Sequence, residues 1–193
     1  MNVERHMQRD AVTALPSATV GAIRKVMDDH GFGLLLISAE DGRLQGFVTR
    51  ASLRGVADET AGVGSVMHPV RFAVAPSDTL EKAALIMLEN RLVLLPVVAE
   101  DRLIGVITQS EVLRGLADGL GIGLDGTRME MHLRRDSDDL FRAFEVLREH
   151  GVRVVSLSTQ RGNGTHEDVV LRLQGIADRE ALRVALEAVL REG

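Results

Sequence analysis

Enzymes leave positioned nucleophiles, general bases or metal ligands in their sequences, so the reactive residue types come first. The chain carries six histidines, His6, His30, His68, His132, His150 and His166, and no two stand at the H-x-x-x-H spacing that turns both toward one metal from a helix face. They read as helix-end, turn or surface residues. No serine sits in a G-x-S-x-G turn, and there is no cysteine, which removes thiol nucleophiles, disulfides and thiolate metal sites. The glycine run from Gly119 to Gly126 contains a literal G-x-G-x-x-G. That pattern holds a dinucleotide only between a strand and a following helix. Here a helical pattern ending near Ala117 precedes it and an alternating strand follows, so it reads as a flexible linker. Asn163-Gly164-Thr165 matches a glycosylation sequon but reads as a turn. No catalysis is expected, and the residues point to a binding protein.

The elements that would position a binding site must come from a chain of 193 residues that is 45% hydrophobic, enough for one good core or two to three small ones. Charged residues make up 26%, aromatics 3%, and the formal net charge is −5. No Lys and Arg cluster interleaves with aromatics, so nucleic acid is not an expected partner. Met1 to Asp10 lacks a basic-then-apolar leader, which makes a cytoplasmic location the expectation. The longest apolar runs, such as Leu92 to Ala99, fall far short of the roughly 20 residues of a bilayer span, so no membrane partner is expected.

An internal repeat organises the first two thirds. Val3-Glu4-Arg5-His6-Met7 is echoed by Val63-Gly64-Ser65-Val66-Met67, and Pro16-Ser17-Ala18-Thr19-Val20 by Pro76-Ser77-Asp78-Thr79-Leu80, both at an offset of 60. Gly46-Phe47-Val48-Thr49 and Gly105-Val106-Ile107-Thr108 follow at 59, where one turn residue is lost. Each unit opens with a capped helix whose apolar positions recur at helical spacing: Val20, Ile23 and Met27 in the first, Leu80, Ala84, Met87 and Leu88 in the second. The short apolar runs Gly33 to Ile37 and Leu92 to Val98 read as strands covered on both faces. Tight turns at Glu40-Asp41-Gly42 and Glu100-Asp101-Arg102 lead back through a second strand, ending at Thr49 or Thr108, into another helix.

The sequence Val-x-x-x-Met, Pro-Ser-x-Thr, buried strand, then Gly-Phe-Val-Thr-x-x-Ser or Gly-Val-Ile-Thr-x-x-Glu resembles tandem CBS domains, from Met1 to about Leu120. The implied fold class is α+β (α/β), two CBS domains packed as a pseudo-two-fold pair. The resemblance also implies an adenosine compound in the clefts between them, AMP, ADP, ATP or a relative, as a regulatory ligand and not a required cofactor. In that family a Thr or Ser hydroxyl, here Thr49 and Thr108, bonds a phosphate or ribose oxygen at a helix N-terminus. An Asp three residues on accepts from the ribose hydroxyls, and this chain has Ser52 and Glu111 there. The adenine is implied beside Thr13-Ala14 and Ala73-Val74 and the strands at Phe32-Gly33-Leu34 and Val93-Leu94-Leu95-Pro96. Because Glu111 keeps a carboxylate, the second-repeat cleft is expected to bind more tightly. Arg50, Arg71 and Arg91 are the candidates to meet phosphate.

From Thr127 the period changes. Met129, Met131 and Leu133 alternate with polar residues as a half-buried strand, and Asp136 to Asp139 are expected to cap a helix with Leu140, Phe144 and Leu147 inward. Val152 to Ser158, a hairpin turn at Gly162-Asn163-Gly164, Asp168 to Leu173 and a last helix through Leu182, Leu186 and Val189 complete the order. Strand, helix, strand, strand, helix resembles a truncated ferredoxin-like (ACT-like) βαββα domain, a fold used to sense amino acids. The usual Gly between its first strand and helix is replaced by Asp139, and Asp136, Asp138 and Asp139 would repel a ligand carboxylate, so an interaction module is expected. The domains are drawn at 1–60, 61–122 and 123–193. Together they resemble the acetoin-utilisation accessory proteins of the AcuB type. A homodimer is expected because outward helices and a sheet edge without a covering strand leave apolar surface. A target enzyme is possible but not named by the sequence, and a dimerising scaffold without nucleotide is the competing class.

Overall fold

The computed structural model describes residues 1–160 and 164–191, and the chain divides into two compact units, Met1–Leu116 and Ala117–Gly193. Of the hairpin turn expected at Gly162-Asn163-Gly164, residues 162 and 163 lie outside the described residues.

The first unit contains β1 (Thr13–Ala14), α1 (Val20–His30), β2 (Leu34–Ser38), β3 (Leu44–Thr49), α2 (Arg50–Leu53), α3 (Leu80–Asn90), β4 (Leu94–Ala99) and β5 (Arg102–Thr108), and leads into α4 (Gln109–Gly119). The repeat is visible bond by bond. Thr19 accepts from the Ala22 amide at 3.3 Å to start α1, and Thr79 accepts from the Lys82 amide at 3.1 Å to start α3. β1 runs parallel to β2 with Ala14 opposite Ile37, and an isolated bridge between Val74 and Val97 repeats that pairing 60 residues on. β2–β3 and β4–β5 are antiparallel hairpins. The second is closed by Glu100 and Asp101, both at positive φ (50° and 63°), the left-handed pair of a two-residue turn. The first loop is longer, which is the residue that shifts the offset from 60 to 59.

Burial follows the helical period but on a narrower stripe than the spacing predicts. Val20, Ile23 and Met27 of α1 and Leu80, Ala83 and Met87 of α3 are buried, Ala84 is partly buried, and Leu88 is 72% exposed. Leu88 sits about 100° around the helix from Met87, beyond the edge of the core-facing stripe. The cores also exchange their leading segments. Val3 and Met7 join the core of the second repeat, around Leu80, Leu95 and Ile107. Val63, Val66 and Met67 pack with the first, around Ile23, Leu35, Ile37 and Val48. Each repeat is thus completed by the segment that precedes the other.

The second unit is β6 (Thr127–Arg134), α5 (Asp139–Glu149), β7 (Arg153–Gln160), β8 (His166–Gln174) and α6 (Arg179–Arg191), with an antiparallel sheet in the order β6-β8-β7. That is the order of a ferredoxin-like sheet with its fourth strand missing among the described residues. Met131, Leu133, Val169, Leu171 and Leu173 form the buried face under Ala143, Leu147, Leu182 and Leu186. Two expectations change here. Asp138, the N-cap of α5, makes no side-chain capping bond; Ser137 Oγ accepts from the Asp139 amide at 3.2 Å instead. Nor does the glycine-rich segment hang free. Ser156 Oγ donates to the Leu120 carbonyl at 2.7 Å, Arg172 to that of Leu124 at 3.2 Å and Gln174 to that of Asp125 at 2.6 Å.

Candidate ligand-binding cleft

Two glycines set the geometry of the clefts. A Cβ on Gly46 would sit 2.5 Å from Met67 Cγ and 2.6 Å from the His68 carbonyl oxygen, and one on Gly105 would sit 2.5 Å from the Gln8 carbonyl oxygen. Only a strand without a side chain at these positions lets the exchanged segment lie against it. His68 then pairs with Phe47 through both backbone bonds (2.9 and 2.8 Å), as Gln8 pairs with Val106 (2.8 and 2.9 Å). The chain continues from His68 through Pro69, Val70, Arg71 and Phe72 along a cavity of about 300 Å³ whose other walls are Leu34, Leu36, Phe47, Leu92, Leu94 and Pro96. Among its lining side chains, His68 and Arg71 carry polar atoms and the rest are apolar. The rings of Phe47 and His68 are 5.6 Å apart between centroids.

Of the residues expected from sequence, Leu34, Leu94 and Pro96 line this cavity. Ala73 lines a neighbouring groove with Arg43, Leu44, Val70 and Val98. Val74 and Leu95 are buried in the second core, and the Val74 backbone is engaged with Pro96 and Val98, so neither side chain is presented to a ligand. Thr13 Oγ1 accepts from Ser38 Oγ at 3.0 Å, and Ala14 packs on the first core. Phe32 stacks on His30, the Gly33 carbonyl accepts from the Arg50 amide, and Val93 is exposed with its carbonyl taken by the Gln109 amide.

The polar pairs at the two strand-to-helix turns are occupied by the chain itself. Thr49 Oγ1 accepts from the Ser52 amide at 3.1 Å while Ser52 Oγ accepts from the Thr49 amide at 3.0 Å, a reciprocal capping box. The helix it caps, α2, is a single turn, so its N-terminus offers little of the dipole an anion site needs. In the second repeat Glu111 Oε2 accepts from the Thr108 amide at 3.0 Å and from Thr108 Oγ1, and Oε1 accepts from Gln8 Nε2 at 2.9 Å. Partial burial raises the Glu111 pKa, but the hydrogen bonds from Thr108 and Gln8 outweigh it and leave the carboxyl below its usual range. Of the three arginines, Arg50 is tied by Nε to the Phe32 carbonyl (2.7 Å), by Nη2 to that of Met27 (2.8 Å) and by Nη1 to Asp28 (2.5 Å). Arg91 closes α3 at φ 53°. Arg71 is the one that lines the cavity.

Sequence reasoning missed the inter-repeat segment His68 to Phe72 as a wall, although Pro69, Val70 and Phe72 already break the polar character of an ordinary linker.

The model of the CBS domain family matches residues 3–59 and 63–118. The chain belongs to that family. Its CBS pair is 33% identical over 108 residues to an inosine-5′-monophosphate dehydrogenase from Methanocaldococcus jannaschii, covering 55% of this chain and 22% of that enzyme. The chain therefore spans less than a quarter of that relative's length. Among solved structures, a Vibrio cholerae chain assigned to acetoin utilization (AcuB) is similar at 27% identity and TM-score 0.57, covering 63% of this chain and 94% of that one. CBSX2 in complex with AMP is similar at 26% identity and TM-score 0.56, covering 61% and 96%. These matches cover about as much of the chain as the CBS pair itself. Among the described residues no helix is long and apolar enough to cross a membrane.

Proposed function

We propose that this chain is a non-catalytic regulatory protein that binds an adenine nucleotide in the clefts of its CBS pair and passes the bound state on as a homodimer, through its C-terminal unit or to a target enzyme. The units that do so are 1–60, 61–122 and an ACT-like interaction module, 123–193. The observation that carries the reading is the cavity behind His68 to Phe72: apolar walls and the rings of Phe47 and Phe72 suit a purine, and Arg71 supplies a cation for phosphate. Similarity to a CBS structure holding AMP supports the ligand class. With one arginine among the lining residues, a monophosphate is better matched in charge than a triphosphate, so AMP should bind more tightly than ATP. Thr108 and Glu111, and more weakly Thr49 and Ser52, remain the ribose-facing positions of this reading; for Glu111 the ribose would take the place of the Gln8 amide.

Isothermal titration of the purified protein with AMP, ADP, ATP, NAD and S-adenosylmethionine tests it. Arg71→Ala should weaken AMP binding about tenfold or more, the value of one charge-assisted bond. Glu111→Ala should remove the tighter of two binding events, while Ser52→Ala changes little. Binding of none of the five would support the second reading, a dimerising scaffold. The capping bonds that already occupy Thr49, Ser52, Thr108 and Glu111 favour that alternative. In the C-terminal unit Asp139 is paired with Arg134, which leaves the amino-acid sensor without an observation in its favour.

A further inference from the structure

The C-terminal sheet has two faces, and only one belongs to the core. Residues alternate along β6 and β8, so Met129, Met131, Val169 and Leu171 turn toward the helices while Arg128, Glu130, His132, Val170 and Arg172 turn the other way. The register sets this second face in rows across three strands: Arg128, Arg172 and Ser156 in one, Glu130, Val170 and Ser158 in the next, His132, Asp168 and Gln160 in the third. Most of its charges find partners within the face. Arg128 Nη1 donates to Glu130 at 2.8 Å, and His132 hydrogen-bonds Asp168. Arg172 differs. It stands directly opposite Arg128, a like-charge pairing that destabilises a sheet when no negative group lies between. Among the described residues it forms no ion pair, and its hydrogen bond is to a neutral group, the Leu124 carbonyl, at 3.2 Å.

A strap closes over this row. Ser156 Oγ donates to the Leu120 carbonyl at 2.7 Å, and Gly121, buried at φ 66°, lies so near that a Cβ would sit 3.2 Å from Arg172 Cδ and 3.4 Å from Ser156 Oγ. Between strap and sheet is a cavity of about 220 Å³. Leu120, Ile122 and Val170 give it apolar walls, and Arg128, Arg172 and Ser158 give it polar ones.

We propose that this cavity binds a small aliphatic monocarboxylate, its carboxylate on Arg172 and its hydrocarbon against Leu120, Ile122 and Val170. An apolar concavity with a few convergent polar groups is the general form of a small-molecule site. The one guanidinium without a counter-ion matches a single negative charge, and its fork of N–H donors suits a carboxylate. An α-ammonium group would stand beside two guanidiniums and be repelled, which separates this ligand class from the amino acids. Inorganic phosphate would meet the charge but leave the apolar walls without a partner. Arg172 also holds the strap through Leu124, so an occupant would bind sheet and strap together. The site lies wholly in the C-terminal unit and is independent of the nucleotide reading.

Isothermal titration of the full chain with isocaproate, which is leucine without its ammonium group, tests the proposal. Isocaproate should bind, with the same affinity in the presence of AMP, and leucine and inorganic phosphate should each bind at least about tenfold more weakly. Arg172→Ala should weaken isocaproate binding about tenfold or more, the value of one charge-assisted bond. Because that variant also releases the Leu124 carbonyl, Ser158→Phe provides the second test. The Ser158 side chain makes no hydrogen bond among the described residues, so the phenyl ring should fill the cavity and abolish binding while far-UV circular dichroism stays unchanged. Absence of isocaproate binding overturns the proposal, as does isocaproate binding that survives Ser158→Phe. Leucine or phosphate binding as tightly as isocaproate overturns the ligand class, and competition by AMP would put the carboxylate in the CBS pair instead.

Discussion

Asp139 shows how far a single residue's role depends on a partner that spacing does not name. Read from sequence, it belongs to an acidic run that caps a helix. In the structure it is buried, and Arg134, five residues earlier across a turn in which Asp136 takes φ 60°, donates to it through Nε at 3.0 Å, Nη2 at 2.8 Å and its backbone amide at 3.1 Å. These hydrogen bonds from Arg134, against the opposing effect of burial, hold the Asp139 carboxyl far below the usual carboxylate range. The sign follows from linkage. A carboxyl whose folded pKa is depressed stabilises the fold at every pH above its unfolded value of about 3.9, and loses that contribution as pH falls toward the folded value. Asp139→Asn should therefore lower the melting temperature of the C-terminal unit at pH 7 by about 4 °C or more. The gap to wild type should narrow as pH is lowered below about 4. A gap independent of pH would mean that shape, not charge, is what Asp139 contributes. The acid run was legible; the bidentate arginine was not, because nothing in the order of residues says that the turn folds Arg134 back.

At the scale of elements the repeat made most of the CBS pair readable. The strand ends at Thr49 and Thr108, the capped starts of α1 and α3 and the lost turn residue all stand where the spacing puts them. What periodicity hid is the exchange of leading segments. Val3 and Val63 were visible as echoes of each other, but an echo does not say which core each joins. The glycines at 46 and 105 are the physical trace of that exchange, and they make a prediction. Adding a methyl group at either forces a shift against backbone atoms, at a cost of about 1–3 kcal/mol. Gly46→Ala should in addition displace Met67 and His68, which lead into the wall of the cavity proposed for the nucleotide, and so weaken AMP binding. Gly105→Ala should destabilise the fold similarly but act on the other site, since it disturbs Gln8, the partner of Glu111, and should leave the Arg71-dependent binding event within about twofold. Chemical denaturation and calorimetric titration of the two variants separate the effects. Loss of the Arg71-dependent event in Gly105→Ala but not in Gly46→Ala would detach the cavity behind His68 from binding.

For the whole molecule, the question is whether two compact units behave as two. The C-terminal core runs from Met131 to Leu186 and is built from its own strands and helices, while the buried residues of the CBS pair lie between Val3 and Val112. The hydrophobic period changes at Thr127, inside the second unit, which begins at Ala117. That change does not announce that the glycine-rich segment before it is fastened to β7 and β8 by side chains that reach its carbonyls, because those bonds join residues 36 to 49 positions apart. Separate cores lose their packing separately unless a large shared surface couples them. Leu171 and Ile37 are both fully buried, one in each unit. Truncating a buried leucine or isoleucine to alanine costs about 2–5 kcal/mol. Scanning calorimetry should therefore resolve two transitions, with Leu171→Ala lowering one and Ile37→Ala the other. AMP should raise only the transition that Ile37→Ala lowers, since a ligand stabilises the unit that holds its site. One transition that moves with both substitutions would show that the units unfold together, and a shift by AMP of the Leu171 transition alone would move the nucleotide site out of the CBS pair.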